Sequence, residues 1–190
     1  MCDLSHPFRA FPALAVKHDD RTALQSLRFR EPDLVGLIDG MAPDEYTELA
    51  VLGIHHGGEN LGVGSALVVT NSRRGSESNL YGRVDLIIVD PAFRGMGLGR
   101  AVILCLLLHM LKTHGSRLYS ISSLAAHGAV AKVLEDLGFQ RGNREAKNFV
   151  TESLALEAGD HDAVIDICLG ELESVLQLIN FRLRQRKTPT

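Results

Sequence analysis

Residues 83–102 read Arg-Val-Asp-Leu-Ile-Ile-Val-Asp-Pro-Ala-Phe-Arg-Gly-Met-Gly-Leu-Gly-Arg-Ala-Val. The first eight, Arg83 to Asp90, are almost wholly apolar after Asp85, a composition suited to a strand buried on both faces of a sheet. Pro91 ends the strand, because proline has no N–H to give a ladder. Gly95, Gly97 and Gly99 then open an apolar, β-branch-poor run from Leu98 to His114, closed by Gly115, which reads as a buried helix. The first turn of a helix presents unpaired N–H groups and about half a positive charge. Glycines weaken a helix start, and they belong there when a ligand must approach bare backbone. Arg94 and Arg100 flank the loop and can add charge-assisted hydrogen bonds. Residues 94–100 therefore read as a cradle for a pyrophosphate.

Downstream, Arg117 to Ser123 reads as another strand, Ala125 to Leu137 as a helix closed by Gly138, and Phe139 as the opening of a further strand. Phe149 to Glu157 partly alternates and reads as the last strand. After a break at Gly159, Asp160 to Arg186 carries apolar residues near helical spacing, with acids at its start and Arg182, Arg184 and Arg186 at its end, as the helix dipole favours. The basic end reads as a solvated helix terminus. Upstream, Leu49 to His55 and Leu61 to Thr70 flank a glycine-containing hairpin loop. Pro12 to Lys17 offers a first strand, Arg21 to Arg30 a short helix, and Asp33 to Met41 a second helix closed by Gly40. Asn71 to Asn79 is a polar connection. This order predicts an α/β (mixed α+β) fold: a central mixed sheet of about seven strands flanked by helices, plus an extra C-terminal helix. Residues 1–158 form the expected domain, and 159–190 a helical extension packed on that domain or on a partner subunit.

The 190 residues suit one domain. Hydrophobic residues at 45% and charged residues at 23% exclude disorder as the main state. The net charge of −3 supplies no global basic field, and 5% aromatics with no Trp offer no stacking platform, so no nucleic-acid partner is expected. Cys2, Cys105 and Cys168 lie far apart without a CxxC pair, which fits a reducing compartment. The longest apolar run, Ala101 to Leu108, is far short of the roughly 18 residues that span a bilayer, and the N-terminus lacks a signal core. No membrane association and a cytoplasmic location are expected. His109 and His114 stand five apart, off one helical face, and the histidines show no ligand spacing, so no metal is expected. Cys105 in the apolar helix and Cys168 on the last helix read as packing residues.

Two phosphate-binding motifs fail on specifics. A P-loop requires GxxxxGK[ST], and no Lys with Ser or Thr follows at that spacing. A dinucleotide fingerprint requires a third glycine where Val102 stands, and an acid at the end of the next strand, which instead ends Ser122-Ser123. Residues 49–156 resemble the GNAT superfamily of acyl-CoA-dependent N-acetyltransferases. The family motif [R/Q]-x-x-G-x-[G/A] is matched by Arg94-Gly95-Met96-Gly97-Leu98-Gly99 after Val89-Asp90-Pro91-Ala92-Phe93, and Leu134-Glu135-Asp136-Leu137-Gly138-Phe139 matches the family's helix end before the sixth strand.

The resemblance implies transfer of an acetyl group from acetyl-CoA, the cosubstrate, to a primary amine on a small molecule or peptide, by direct attack in a ternary complex. It places the acyl-CoA in a V-shaped opening between the fourth and fifth strands. Pantetheine would pair with Ile87, Ile88 and Val89, and the pyrophosphate would lie on Arg94, Gly95, Met96, Gly97, Leu98, Gly99 and Arg100. The N–H of Ile88 or Val89 would serve as oxyanion donor. On this reading a carboxylate introduced by Gly97→Glu is expected to fall in the anion site. Asp85, two residues before Ile87 and on the same face by strand alternation, is the candidate base, with Glu48 and Glu59 as weaker alternates. The family's usual general acid, a Tyr, is replaced by Leu134, and its frequent CoA-contacting Asn by His127. His127, Tyr119 and Ser123 are the alternative acids. The missing Tyr motivates a second reading, a GNAT-fold CoA-binding module with weak or no catalysis, and a nucleotide-binding domain without acyl chemistry is a third. Many similar enzymes are dimers, so a homodimer is expected by analogy.

Overall fold

Beneath the glycine-rich segment lies a seven-stranded mixed sheet, ordered β1-β2-β3-β4-β5-β7-β6. A computed structural model describes residues 4–30, 48–70, 80–125, 128–146, 149–155 and 160–186. The elements are α1 (Ser5–Phe8), β1 (Leu14–His18), α2 (Arg21–Arg30), β2 (Glu48–His56), β3 (Glu59–Thr70), β4 (Leu80–Val89), α3 (Leu98–His114), β5 (Leu118–Ala125), α4 (Gly128–Asp136), β6 (Gln140–Ala146), β7 (Phe149–Ala155) and α5 (Asp160–Arg186). The second helix expected at Asp33 to Met41 and the connection Asn71 to Asn79 lie outside the described residues. The short helix α1 is an addition to the expected elements.

The β2–β3 hairpin turns on Gly57 and Gly58, whose φ angles of 59° and 90° suit a two-residue turn that matches strand twist. β1 to β4 form the antiparallel meander. β4 and β5 are parallel, which requires the crossover supplied by α3. β7 inserts between β5 and β6, antiparallel to both.

The two faces of the sheet differ. On one, α2 lays Ala23 and Leu24 against Val51, Val63, Leu86 and Ile88. On the other, α3 is buried all round from Ala101 to Leu111. A helix apolar on every side needs cover on every side. The sheet supplies one wall and α5 the other, with Cys168, Leu172, Leu176 and Ile179 buried in the same cluster as Leu104, Leu107 and Leu108. Fully burying one such leucine contributes roughly 1.5–3 kcal/mol, so α5 covers a large part of the core. His161 at its start lies 2.9 Å from the Leu118 carbonyl, beyond the C-terminal end of α3. Val175 and Ile179 lie beside Gly97, at the N-terminal end of α3. The two helices therefore run antiparallel.

Burial pushes the Cys105 thiol up to about 12. It does the same to Cys168, with help from the Glu171 charge. A thiol so protonated is no nucleophile at neutral pH, in keeping with packing roles. No helix among the described residues is long and apolar enough to cross a membrane.

Candidate functional site

The site is built where β4 and β5 part company. Their parallel ladder ends at the pair Val84–Ser123. Beyond it β5 continues in register with β7, through Leu124–Thr151 and Ala125–Val150. β4 continues with β3, through Leu86–Ser65 to Val89–Gly62. A wedge opens between the strands over residues 85–89.

A bulge lies where the strands part. Ser65 pairs with Leu86 and Ala66 with Val84, so Asp85 is an extra residue with no partner of its own on β3. Such a residue bends a strand and disrupts its ladder. It also resets the alternation of side chains. Val84 belongs to the core on the α3 face, whereas Leu86 belongs to the core on the α2 face. The inference that Asp85 shares a face with Ile87 by simple alternation therefore does not carry across the bulge. The backbone of Asp85 is in β4; its side chain lies outside the described residues.

Main-chain direction along β4 distinguishes the residues expected to meet pantetheine. The Asp90 N–H donates to the Leu61 carbonyl at 3.0 Å. The Ile88 and Leu86 carbonyl oxygens lie 3.2 and 3.0 Å from where a Cβ on Gly62 or Gly64 would stand. Residues 86, 88 and 90 thus turn their polar groups toward β3. In a strand the next residues turn the other way, so Ile87 and Val89 present theirs to the wedge. Of the two expected oxyanion donors, Ile88 is corrected, since its N–H faces β3, and Val89 remains. The Val89 carbonyl accepts from Arg94 Nε at 3.4 Å.

At the mouth of the wedge, Asp90 Oδ1 accepts from the Ala92 N–H at 2.9 Å and caps a single 3-10 turn, Pro91–Phe93. The chain then enters α3 through Gly97, with φ 97° and no side-chain cap. The first intrahelical bond runs from the Ala101 N–H to the Gly97 carbonyl, so the N–H groups ahead of it point out of the helix end.

The three glycines differ in what they face. Gly95, with φ 77°, has nothing within 4 Å of an added Cβ, and Gly99 has only Val89 Cγ2 at 3.8 Å. Gly97 faces α5, with Val175 Cγ1 at 3.4 Å. A carboxylate from Gly97→Glu would therefore be driven against α5, which corrects the expectation that it falls in the anion site. Met96 and Leu98 are buried in the core and can offer a ligand only backbone.

The cations, Arg94 apart, are arranged otherwise than expected. Arg94 is exposed beside the loop. Arg100 is bound by two carboxylates, Asp136 Oδ2 at 3.2 Å and Glu171 Oε2 at 2.6 Å, so its guanidinium ties α3 to α4 and α5. Arg182 donates to the Gly95 carbonyl and Arg186 to the Ala92 carbonyl, and the Arg186 guanidinium lies 5.4 Å from the Phe93 ring centroid. The basic end of α5, expected to be solvated, is folded onto the loop. No sequence spacing signals that contact, because it joins residues 87 and 94 positions apart.

Among the expected acids, Tyr119 is not brought to the wedge. It lies at the register shift that begins β5, 53% exposed and against the Tyr81 ring. Four residues separate it from Ser123, about 13 Å of strand. Ser123, buried in the last β4–β5 pair, is the hydroxyl that reaches the apex. His127 lies outside the described residues. Leu134 is fully buried, so α4 offers only hydrocarbon there.

The alternate bases Glu48 and Glu59 stand elsewhere. Glu59 is exposed at the hairpin tip. Glu48, far from the wedge on β2, lies 2.8 Å from Nε2 of both His109 and His114. The two histidines, read as unrelated from their spacing, are brought together by this carboxylate. No group of side chains suited to hold a metal occurs among the described residues.

Asp20 anchors the α2 side. It is 1% exposed, lies 2.5 Å from His55 Nε2 and 3.2 Å from Lys17 Nζ, and accepts from Asn60 Nδ2 at 3.3 Å. Gly53 leaves it room, since a Cβ there would stand 2.2 Å from Asp20 Oδ2. Burial raises the Asp20 pKa, but the hydrogen bonds and charges of His55 and Lys17 together outweigh it and hold the carboxyl below its ordinary 3.8. Glu48 is likewise held low by His109 and His114 against the effect of burial. Because both folded-state values lie below the unfolded ones, the stability these groups add is complete above about pH 5 and is lost as pH falls through the lowered values. Urea unfolding should therefore show a steep loss of stability below about pH 4. Asp20→Asn should lose about 1–3 kcal/mol at pH 7 and show a shallower acid limb. An acid limb as steep as in the unaltered protein would remove Asp20 as its source.

A model of the Acetyltransferase (GNAT) family matches residues 3–139. Solved structures share the fold. An uncharacterized protein from Bacillus halodurans is 14% identical with a TM-score of 0.54, the match covering 85% of this chain and 90% of that one. An acetyltransferase from Trypanosoma brucei is 20% identical with a TM-score of 0.53, covering 70% and 97%. The aminoglycoside N-acetyltransferase AAC(6')-Iy is 22% identical with a TM-score of 0.50, covering 70% and 96%. At such identities the likeness is one of fold alone. No curated protein sequence matches the chain.

Proposed function

Because the chain belongs to the GNAT acetyltransferase family, we propose that it moves an acetyl group from acetyl-CoA to a primary amine of a small molecule or peptide, by direct attack with both substrates bound. The observation that carries this reading is the parting of β4 from β5 at Val84–Ser123, directly behind the uncapped, glycine-lined start of α3. The open space in front of Gly95 and Gly99 suits a bulky polyanion. When bound, acetyl-CoA supplies a thioester, which is an acetyl group already activated toward amines.

The chain's own residues would do the rest. Backbone N–H groups from Gly95 to Gly99, with Arg94 beside them, would hold the pyrophosphate. Ile87 and Val89 would pair with pantetheine along the wedge. The Val89 N–H would donate to the carbonyl oxygen as negative charge develops on it, a contribution of roughly 3–4 kcal/mol for a well-aimed donor. Asp85, at the bulge where the wedge begins, would accept the ammonium proton, directly or through water.

One observation favours a second reading. Leu134 is buried and Tyr119 is remote, so among the described residues no phenol is brought to the wedge to protonate the leaving thiolate. General acid catalysis is worth about 10²–10⁴-fold, and a CoA-binding module with weak transfer is the form the protein takes if no other donor serves.

Thermal unfolding with acetyl-CoA, CoA, NAD and ATP at matched concentrations tests the reading. A ligand at 100 times its Kd stabilises by about 2.7 kcal/mol, several degrees at this size. Shifts with acetyl-CoA and CoA alone are expected. A shift with NAD or ATP alone would overturn the assignment and keep only the phosphate loop. Release of CoA thiol over a panel of primary amines then separates enzyme from binding module.

A further inference from the structure

The Gly95–Met96 peptide is held from outside the loop. Arg182 donates to its carbonyl oxygen, and the Met96 N–H has no backbone partner among the described residues. In a trans peptide the C=O and N–H point in opposite directions. Pinning the carbonyl toward α5 therefore aims the Met96 N–H away from α5. The neighbouring Ala92–Phe93 peptide is held at both ends, its carbonyl by Arg186 and its N–H by the Asp90 carbonyl. Gly97, next along the chain, faces α5, with Val175 Cγ1 3.4 Å from where its Cβ would stand. A cation on the carbonyl also polarises the peptide, making its N–H a stronger donor.

We propose that Arg182 is a positioning residue for the phosphate site: from α5 it fixes the Gly95–Met96 peptide so that the Met96 N–H meets a phosphate oxygen of CoA. The proposal rests on the acetyl-CoA reading above. It makes α5 part of the binding site in addition to its role as cover for α3. Phe93, under Arg186, supplies the second point of attachment, so the loop is clamped before any ligand arrives. A preformed loop binds without first losing its own conformational freedom.

The test is calorimetric titration of the full chain with CoA and with pantetheine, which lacks the pyrophosphate. Arg182→Met keeps the apolar stem and removes the donor. It should weaken CoA binding about tenfold while pantetheine binds within about twofold of its original affinity, because pantetheine does not use the loop. Arg182→Lys keeps a charged donor and should recover part of the loss. Arg184→Met removes an equal charge from the same turn without touching the loop, and should change CoA affinity less than about twofold. Unchanged CoA affinity in Arg182→Met, a loss equal to that of Arg184→Met, or an equal loss of pantetheine binding would overturn the proposal while leaving the acetyl-CoA reading in place. Absence of CoA binding by the unaltered protein would overturn both.

Discussion

Gly99→Glu should abolish acetyl-CoA binding without destabilising the protein. Gly99 is the second residue of α3, and its absent Cβ meets only Val89 Cγ2, at 3.8 Å, an ordinary contact. Its φ is not positive, so an L side chain enters without strain. Replacing glycine by glutamate in a helix gains several tenths of a kcal/mol in propensity. A carboxylate in the first turn gains about 0.3–1 kcal/mol more against the dipole. The folded state is thus expected to hold or gain stability. Binding should fall steeply, because the carboxylate occupies the field that the phosphates need. Two like charges about 5 Å apart repel by about 3 kcal/mol at an effective dielectric of 20, which is about two decades in Kd for each phosphate charge so placed. Titration calorimetry with acetyl-CoA, alongside a urea unfolding curve, reads both effects. Retained affinity in a stable variant would show that the start of α3 is not the anion site. The same experiment at Gly97 would be ambiguous, since Gly97 has φ 97° and faces Val175, so a side chain there damages the α3–α5 contact whether or not CoA binds.

That contrast between Gly97 and Gly99 marks how far the residues alone could be read. Three alternate glycines after an apolar strand announce a helix start with bare backbone, because no other residue type leaves N–H groups so accessible. The bounds of α3 and α5 follow from local signals as well: a glycine closes one, and acids then bases bracket the other. Which glycine faces open space and which faces protein depends on α5, more than sixty residues away in the chain. The bulge at Asp85 has no local signature either. It arises where β3 and β4 fall out of step, and only the pairing of Ser65 with Leu86 and Ala66 with Val84 exposes it. It reverses the face assigned to every later residue of β4, so alternation counted from Asp85 fails at the point where chemistry would need it. Insertion of β7 between β5 and β6 is equally nonlocal, and β7 remains paired with β5 through Ala125, past the point where β4 departs. The contacts of Arg182, Arg186 and Arg100 belong to the same class: charge patterning sees a favourable helix end, and folding decides which carbonyl or carboxylate each guanidinium finds.

Asp85→Asn should reduce turnover by about 10²–10⁴-fold, the span ascribed to a positioned general base, while acetyl-CoA binds as before. Asp85 is the extra residue of the bulge and the first residue of β4 beyond the last β4–β5 pair, so its backbone lies at the root of the wedge. Loop residues 94–100 follow nine or more residues later in the chain, beyond the end of β4 at Val89, and a neutral amide at position 85 leaves the phosphate field unaltered. An amine arrives mostly as ammonium at neutral pH, and attack on a thioester requires its lone pair. On the reading proposed above, the Asp85 carboxylate takes that proton, and asparagine cannot. The pH profile of turnover should differ between the unaltered protein and Asp85→Asn, because the variant keeps only the dependence set by the amine itself. Release of CoA thiol at saturating acetyl-CoA, followed across pH with the amine that the panel identifies, measures this. A variant with an unchanged pH profile and near-normal turnover would remove Asp85 as the base, and would leave Ser123 as the polar side chain at the apex of the wedge through which proton transfer could be sought next.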